Sequence, residues 1–234
     1  MLELKSVTIG SDEKTFLNNI NLFIEENTIA TILGKKNSGK TFFSKSLMGL
    51  INILQGKIYF FGENITHYSF SERIAKGILY VPKRNLNFPK PKVSENFLYS
   101  FRSVNSQLHF KEKMDSIFNC FPTLLDINDE LVQNVTEEEK TIIRLSMALL
   151  KEPKLIIIDE ISFSLKKNFV KKILKSFFSF CKKLKTSVIL LEKDPAVGFV
   201  SIDRLFVIDN NNIFEREDLL RIPQDEAALP LVIL

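Results

Sequence analysis

The eight residues GKKNSGKT (34–41) decide how the chain is read. Upstream lies TIATILG (28–34), a short apolar run of the kind that forms a buried strand; downstream lies FFSKSLMGLI (42–51), whose apolar residues recur on one broad helical face and whose helix is expected to close near Gly56. A strand, a glycine-bearing loop and a helix in that order are the context in which G-x-x-x-x-G-K-[ST] binds nucleotide phosphates. Gly34 and Gly39 let the backbone turn its N–H groups toward an anion, and the helix adds partial positive charge at its first turn. Lys40 reaches for the β and γ phosphates and Thr41 is placed to ligate Mg2+. With Lys35, Lys36, Asn37 and Ser38 they complete the expected phosphate-binding set, Gly34 to Thr41.

Well downstream, LIIIDE (155–160) supplies the complementary chemistry. Its apolar residues form a buried strand that delivers Asp159 to the strand's carboxyl end, where it can hold the Mg2+ shell; Glu160 follows as a base for the attacking water. Read alone, an acidic pair at a strand end serves as well to cap a helix. Joined to the phosphate loop, it makes a nucleoside triphosphate site with Lys40 and Glu160 as catalytic residues and Thr41 and Asp159 as metal ligands.

Around these motifs, LELKSVTI (2–9) and FLNNINLFIE (16–25) alternate like antiparallel strands, and KIYFFG (57–62), ILYV (78–81) and SVILLE (187–192) read as further strands. Short and long helices are expected at SERIAKG (71–77) and around 168–184. Strand–helix–strand alternation with continuous apolar strands predicts an α/β fold with a parallel sheet covered on both faces. From Val93 to about Val135 the pattern is helical, broken at Pro122. Extended to about residue 150, this stretch is expected to be a helical subdomain inserted in a single domain spanning 1–234. RLFVIDNNNIFER (204–216) reads as a hairpin.

Composition excludes several classes. At 45% hydrophobic and 26% charged, 234 residues can bury a sizeable core. The net charge of +4 comes from scattered lysines, which argues against nucleic-acid binding. Cys120 and Cys181 are isolated, as are His67 and His109, so neither a zinc site nor a disulfide framework is expected. No run approaches the roughly 18–20 apolar residues that span a bilayer, and Glu3 departs from the basic start of a signal peptide. A membrane role has to come through a partner.

Together these motifs resemble the ATP-binding cassette (ABC) ATPases over roughly residues 2–216. The resemblance is to the branched-chain amino acid and urea importer subfamily in particular. The passage LMGLINILQGKIYFFGENITHYSFSERIAKGILYVPKRNLNFPKPKVSENFL (47–98) follows that group's order of strand, GEDIT, short helix, GI-YVPQ, FP and V-ENL; FPTLLD (121–126) and ALLKEPKLIIIDE (148–160) continue it. The resemblance implies a P-loop NTPase core with an N-terminal antiparallel β subdomain and an inserted helical subdomain. It further implies ATP and Mg2+ as ligands, docking of the helical subdomain on a membrane permease, pairing with a second cassette, and a place in the cytoplasm at the inner face of the membrane.

Several family positions are altered. The aromatic that would stack on adenine falls near Ser11, the second hydroxyl after the lysine is Phe42, the glutamine linking core and helical subdomain is Lys83 (in YVPK), and the switch residue is Lys193 (in LLEKD). The largest change is VTEEEKT (135–141) in the place of the signature LSGGEQQ, with Glu137 and Glu138 where two glycines approach the γ phosphate on the opposite subunit. A like-charge pair at 4 Å costs about 4 kcal/mol at an effective dielectric near 20. Glutamates in a helix's first turn are also commonplace partners of its dipole. In a homodimer, Lys83 and Lys193 of one chain would face Glu137 and Glu138 of the other; in a heterodimer with an ordinary cassette, the glutamates would spoil only the partner's site. The expectation is a heterodimer in an importer. A nucleotide-binding regulatory subunit without turnover, and a soluble ABC-type assembly ATPase, are the alternatives.

Overall fold

The structure, a computed structural model, describes residues 1–11, 14–83, 88–102, 110–163 and 165–220. The chain begins with the antiparallel pair β1 (Leu2–Ser11) and β2 (Lys14–Ile24), which β4 (Gln55–Phe60) and β5 (Glu63–Asn64) extend into a sheet of order β2-β1-β4-β5. Alternation in the sequence becomes alternation in burial: Leu17, Ile20, Leu22 and Ile24 of β2 point into the core while Phe23 faces solvent.

A second sheet contains β3 (Ile29–Gly34), β6 (Ile78–Val81), β7 (Leu155–Asp159), β8 (Ser187–Glu192), β9 (Arg204–Asp209) and β10 (Asn212–Glu215), in the order β10-β9-β3-β8-β7-β6. All neighbours are parallel except the β9–β10 hairpin, whose turn residues Asn210 and Asn211 both take left-handed backbone angles. Every residue of β3, β7 and β8 is buried, which is why these strands read as unbroken apolar runs. One apolar cluster joins the antiparallel sheet to one face of this sheet through Leu4, Ile9, Phe43 and Ile157. The other covers the opposite face with Phe97, Phe101, Ile143 and Phe177.

The helices among the described residues are α1 (Lys40–Leu47), α2 (Phe70–Ala75), α3 (Val93–Arg102), α4 (Phe110–Cys120), α5 (Thr123–Ile127), α6 (Glu137–Leu149), α7 (Lys167–Lys183), α8 (Pro195–Gly198) and α9 (Glu217–Leu220). The helix expected to run on toward Gly56 ends instead at Met48, because Gly49 turns left-handed (φ +66°) and Gly56 already belongs to β4. Its C-terminus is tied down by Arg73 of α2. That fully buried guanidinium donates to the carbonyls of Ser46 and Leu47 (both 2.8 Å), Ile65 and Thr66 (both 2.9 Å) and Tyr68 (3.0 Å), using all its N–H directions. Burial lowers its pKa to about 10, so it stays charged at neutral pH. β5, α8 and α9 are too short to carry a sequence period and were not anticipated. No helix among the described residues is long and apolar enough to cross a membrane. His109 and the C-terminal ALPLVIL (228–234) lie outside the described residues.

Candidate nucleotide site

The parallel order β3-β8-β7-β6 sets four carboxyl ends side by side, and there the predicted residues meet. The loop leaves β3 at Gly34 and enters α1 at Lys40. Gly39 has φ +100°, and a Cβ there would lie 3.1 Å from Leu17 Cγ; a Cβ on Gly34 would come within 2.4 Å of Ser38 Oγ. The first turn of α1 has no side-chain cap and no acid, which leaves its N–H groups to an incoming anion. Lys40 is 3% exposed. Its ammonium donates to Gly34 O (2.6 Å) and Lys35 O (2.9 Å) and sits 3.2 Å from Glu160 Oε1. Burial pulls its pKa down, against the pull of the Glu160 charge.

On β7, Asp159 is buried. Its Oδ2 accepts hydrogen bonds from Tyr80 (3.0 Å) and Ser44 (3.4 Å), while Oδ1 has no hydrogen-bond partner. Burial raises the Asp159 pKa, and the hydroxyls of Tyr80 and Thr41 oppose that rise. A buried carboxylate oxygen left open beside a hydroxyl suits a cation that takes the rest of its shell from phosphate and water. Thr41 and Asp159 therefore fit Mg2+. Among the described residues no group of three His, Cys, Asp or Glu could hold a metal by itself. Tyr80 and Ser44 were not anticipated; ILYV carries the tyrosine, but nothing local says that β6 lies beside β7.

Glu160 occupies a left-handed backbone position (φ +44°), a strain of about 1–2 kcal/mol for a residue other than glycine. Its N–H donates to Leu191 O (2.8 Å). The carboxylate is held from two sides, by Lys40 at Oε1 and by a hydrogen-bonded ion pair from Lys83 at Oε2. Burial would raise its pKa, but Lys83 and Lys40 outweigh burial and leave it lowered. A third acid, Glu192, ends β8 fully buried and accepts from Ser162 N (2.9 Å) and Ser162 Oγ (2.7 Å). Burial raises its pKa.

The residues at the positions expected to be altered are also placed. Lys83 is engaged within its own chain, and so is Glu137, which pairs with Lys140 (2.8 Å) and Arg144 (3.5 Å). Thr136 and Glu139 form a reciprocal capping box at the start of α6: Glu139 N donates to Thr136 Oγ1 (3.2 Å) and Thr136 N donates to Glu139 Oε2 (2.7 Å). Lys193 is exposed. Among the described residues, those lining the cavity at the phosphate loop do not include Ser11, and the aromatic ones are Phe16 and Phe42, stacked with ring centroids 3.6 Å apart. Loop, rings, Lys14, Lys83 and Glu160 bound an open cavity of about 460 Å³.

Comparison with known proteins agrees with this arrangement. Residues 17–162 match the ABC transporter family. Among curated proteins the chain is 24% identical over 213 residues to the "Probable branched-chain amino acid transport ATP-binding protein LivF" of Archaeoglobus fulgidus, covering 91% of this chain and 90% of that one. It is 25% identical over 226 residues to the Fe(3+) ions import ATP-binding protein FbpC of Escherichia coli O157:H7, covering 95% of this chain but only 64% of that one. Among solved structures, the ADP conformation of MJ1267, an ATP-binding cassette of an ABC transporter, superposes with a TM-score of 0.81 at 18% identity over 99% of this chain and 97% of that one. The fold is that of the ABC ATPases, a family that generally hydrolyses ATP, and the chain belongs to the ABC transporter family as one of its ATP-binding cassettes.

Proposed function

We propose that this cassette binds ATP on the Gly34–Thr41 loop and hydrolyses it slowly, as the energising subunit of an importer for branched-chain amino acids or chemically similar small solutes. The observation that carries the reading is the meeting of Lys40, Asp159 and Glu160 at the carboxyl ends of β3 and β7, the two strands that flank β8. Lys40 is positioned to exchange the Gly34 and Lys35 carbonyls for phosphate oxygens. Mg2+ held by Thr41 and Asp159 would neutralise charge on the phosphate chain. Glu160 takes the proton of the attacking water, for which it has to release Lys83 and Lys40.

The same ion pairs favour a second reading, a subunit that binds nucleotide without turning it over. A base held by two ammoniums is a poor proton acceptor, because their charges stabilise the carboxylate. The solute class rests on the names of the relatives and on the passage 47–98. The unit is read as a single domain, 1–234, in which the helical stretch of about 93–150 docks on a membrane permease at the inner face of the membrane.

The second cassette is read as a different chain. Lys83 and Glu137, which would have paired across a homodimer, already have partners in their own chain, so a symmetric dimer gains little from them. The test is ATP binding and steady-state hydrolysis by the purified chain, alone and with any co-purifying cassette, beside Lys40→Ala and Glu160→Gln. Turnover lost in both variants supports the enzyme. Lys40-dependent binding with no turnover in any combination supports the second reading, and ATP binding indifferent to Lys40 overturns both.

A further inference from the structure

We propose that Lys83 is a built-in cation of the phosphate site: it holds Glu160 in an ion pair and, with Lys40, supplies enough positive charge for the site to take a nucleoside triphosphate without a divalent metal. The inference rests on the nucleotide reading above and deepens it.

The placement follows from sheet register. In the parallel β6–β7 pair, Val81 stands opposite Ile158. Lys83 and Glu160 are each two residues beyond that pair, so both leave the sheet edge at the same level. Lys83 reaches Glu160 Oε2, and its ammonium lies 4.4 Å above the ring of Phe163, which walls the other side. The second oxygen of the same carboxylate faces Lys40 at 3.2 Å. Lys83, Glu160 and Lys40 thus form a bridge with a net charge of +1 across the floor of the cavity. Lys14 and Lys36 also line the cavity, and among the described residues that line it Glu160 is the only acid.

A triphosphate arrives with roughly three to four negative charges, which a metal-dependent site offsets largely with the ion. Here a phosphate oxygen can take the place of a carboxylate oxygen on Lys83. The ammonium exchanges one anionic acceptor for another and gives up little, since Lys83 is 32% exposed and stays hydrated. The metal position at Thr41 and Asp159 remains available, but the charge it would supply is already partly present. Glutamine at position 83 would bring no charge, and arginine would preserve it.

The experiment is calorimetric titration with ATP in excess MgCl2 and again in EDTA, for the unaltered chain, Lys83→Gln and Lys83→Arg. The expected result is a Kd for the unaltered chain that differs by less than about threefold between the two buffers. Lys83→Gln should weaken ATP binding in EDTA by about tenfold or more, the size of one lost charge-assisted hydrogen bond, so that its Kd in EDTA exceeds its own Kd in MgCl2 by far more than the threefold margin of the unaltered chain. Lys83→Arg should restore metal independence. A steep loss of ATP binding by the unaltered chain in EDTA overturns this inference and leaves the nucleotide reading standing, as does a Lys83→Gln chain that binds in EDTA as well as the unaltered one. Absence of binding by the unaltered chain in both buffers overturns both.

Discussion

Helices α1 and α6 begin in opposite ways. The first turn of α1 has no side-chain cap and no acid, and is preceded by a glycine in the left-handed region (φ +100°). The first turn of α6 is closed by its own side chains: Thr136 and Glu139 satisfy each other's backbone N–H groups, and three consecutive glutamates answer the helix dipole. A helix N-terminus is an anion site only while its N–H groups are unspent. By that measure α1 leaves its N–H groups to an external anion, and α6 has supplied its own carboxylate.

The difference can be broken from either side, and the largest effect is expected at α1. Lys40→Ala should weaken ATP binding by about a hundredfold, as removal of a charged donor costs about 1.5–3 kcal/mol. Gly39→Ala should also destroy the cradle, since the left-handed position costs about 1–2 kcal/mol for alanine before the contact with Leu17 is counted. Nucleotide titration and thermal unfolding together separate loss of a ligand group from loss of fold. Normal ATP binding by Gly39→Ala would show that the loop tolerates a second conformation and would remove the contrast.

The Glu160 bridge gives a pH signature. Because Lys83 and Lys40 hold this carboxyl below its ordinary value of 4.5 in the folded state, the contribution of its charge is complete above that value. It is lost as pH falls through the lowered one. Urea unfolding of the unaltered chain and Glu160→Gln should therefore show a stability gap at pH 7 that closes on acidification below about 4.5. A gap independent of pH would mean that the glutamate acts through packing alone.

At α6 the effects are smaller. Thr136→Ala should cost about 1 kcal/mol and lower Tm by about 2–4 °C, the usual loss for a helix cap in a chain of this size, with ATP binding unchanged. A loss of ATP affinity in the isolated chain would tie α6 to the cradle after all. Glu137→Gln removes exposed pairs to Lys140 and Arg144 and should cost a few tenths of a kcal/mol at low salt. That cost should vanish at high ionic strength.

Much of this was legible along the chain. The phosphate loop could be read because its glycines, lysine and threonine act within eight consecutive residues. The strands of the parallel sheet could be read because burial on both faces leaves an unbroken apolar record. Arg73 was not legible as a buried residue: an arginine in SERIAKG reads as surface until α1 and α2 are packed and its five carbonyl acceptors converge. Phe16 and Phe42 are separated by a whole strand and loop, so no local pattern encodes their stacking, and the family's aromatic position falls near Ser11.

The sequence by itself determined the chemistry on offer: a glycine- and lysine-bearing loop, an acidic pair ending a strand, and three consecutive glutamates at a helix start. Only the tertiary structure decided how those charges are spent. Lys83 and Glu160 stand 77 residues apart; read singly, Lys83 suggested a charge facing a second subunit and Glu160 a base for water. The parallel register of β6 against β7 sets them face to face within one chain. Local patterns encode the period and polarity of an element; which strand lies beside it is settled by the burial of whole faces, and that is where this carboxylate acquires its partner.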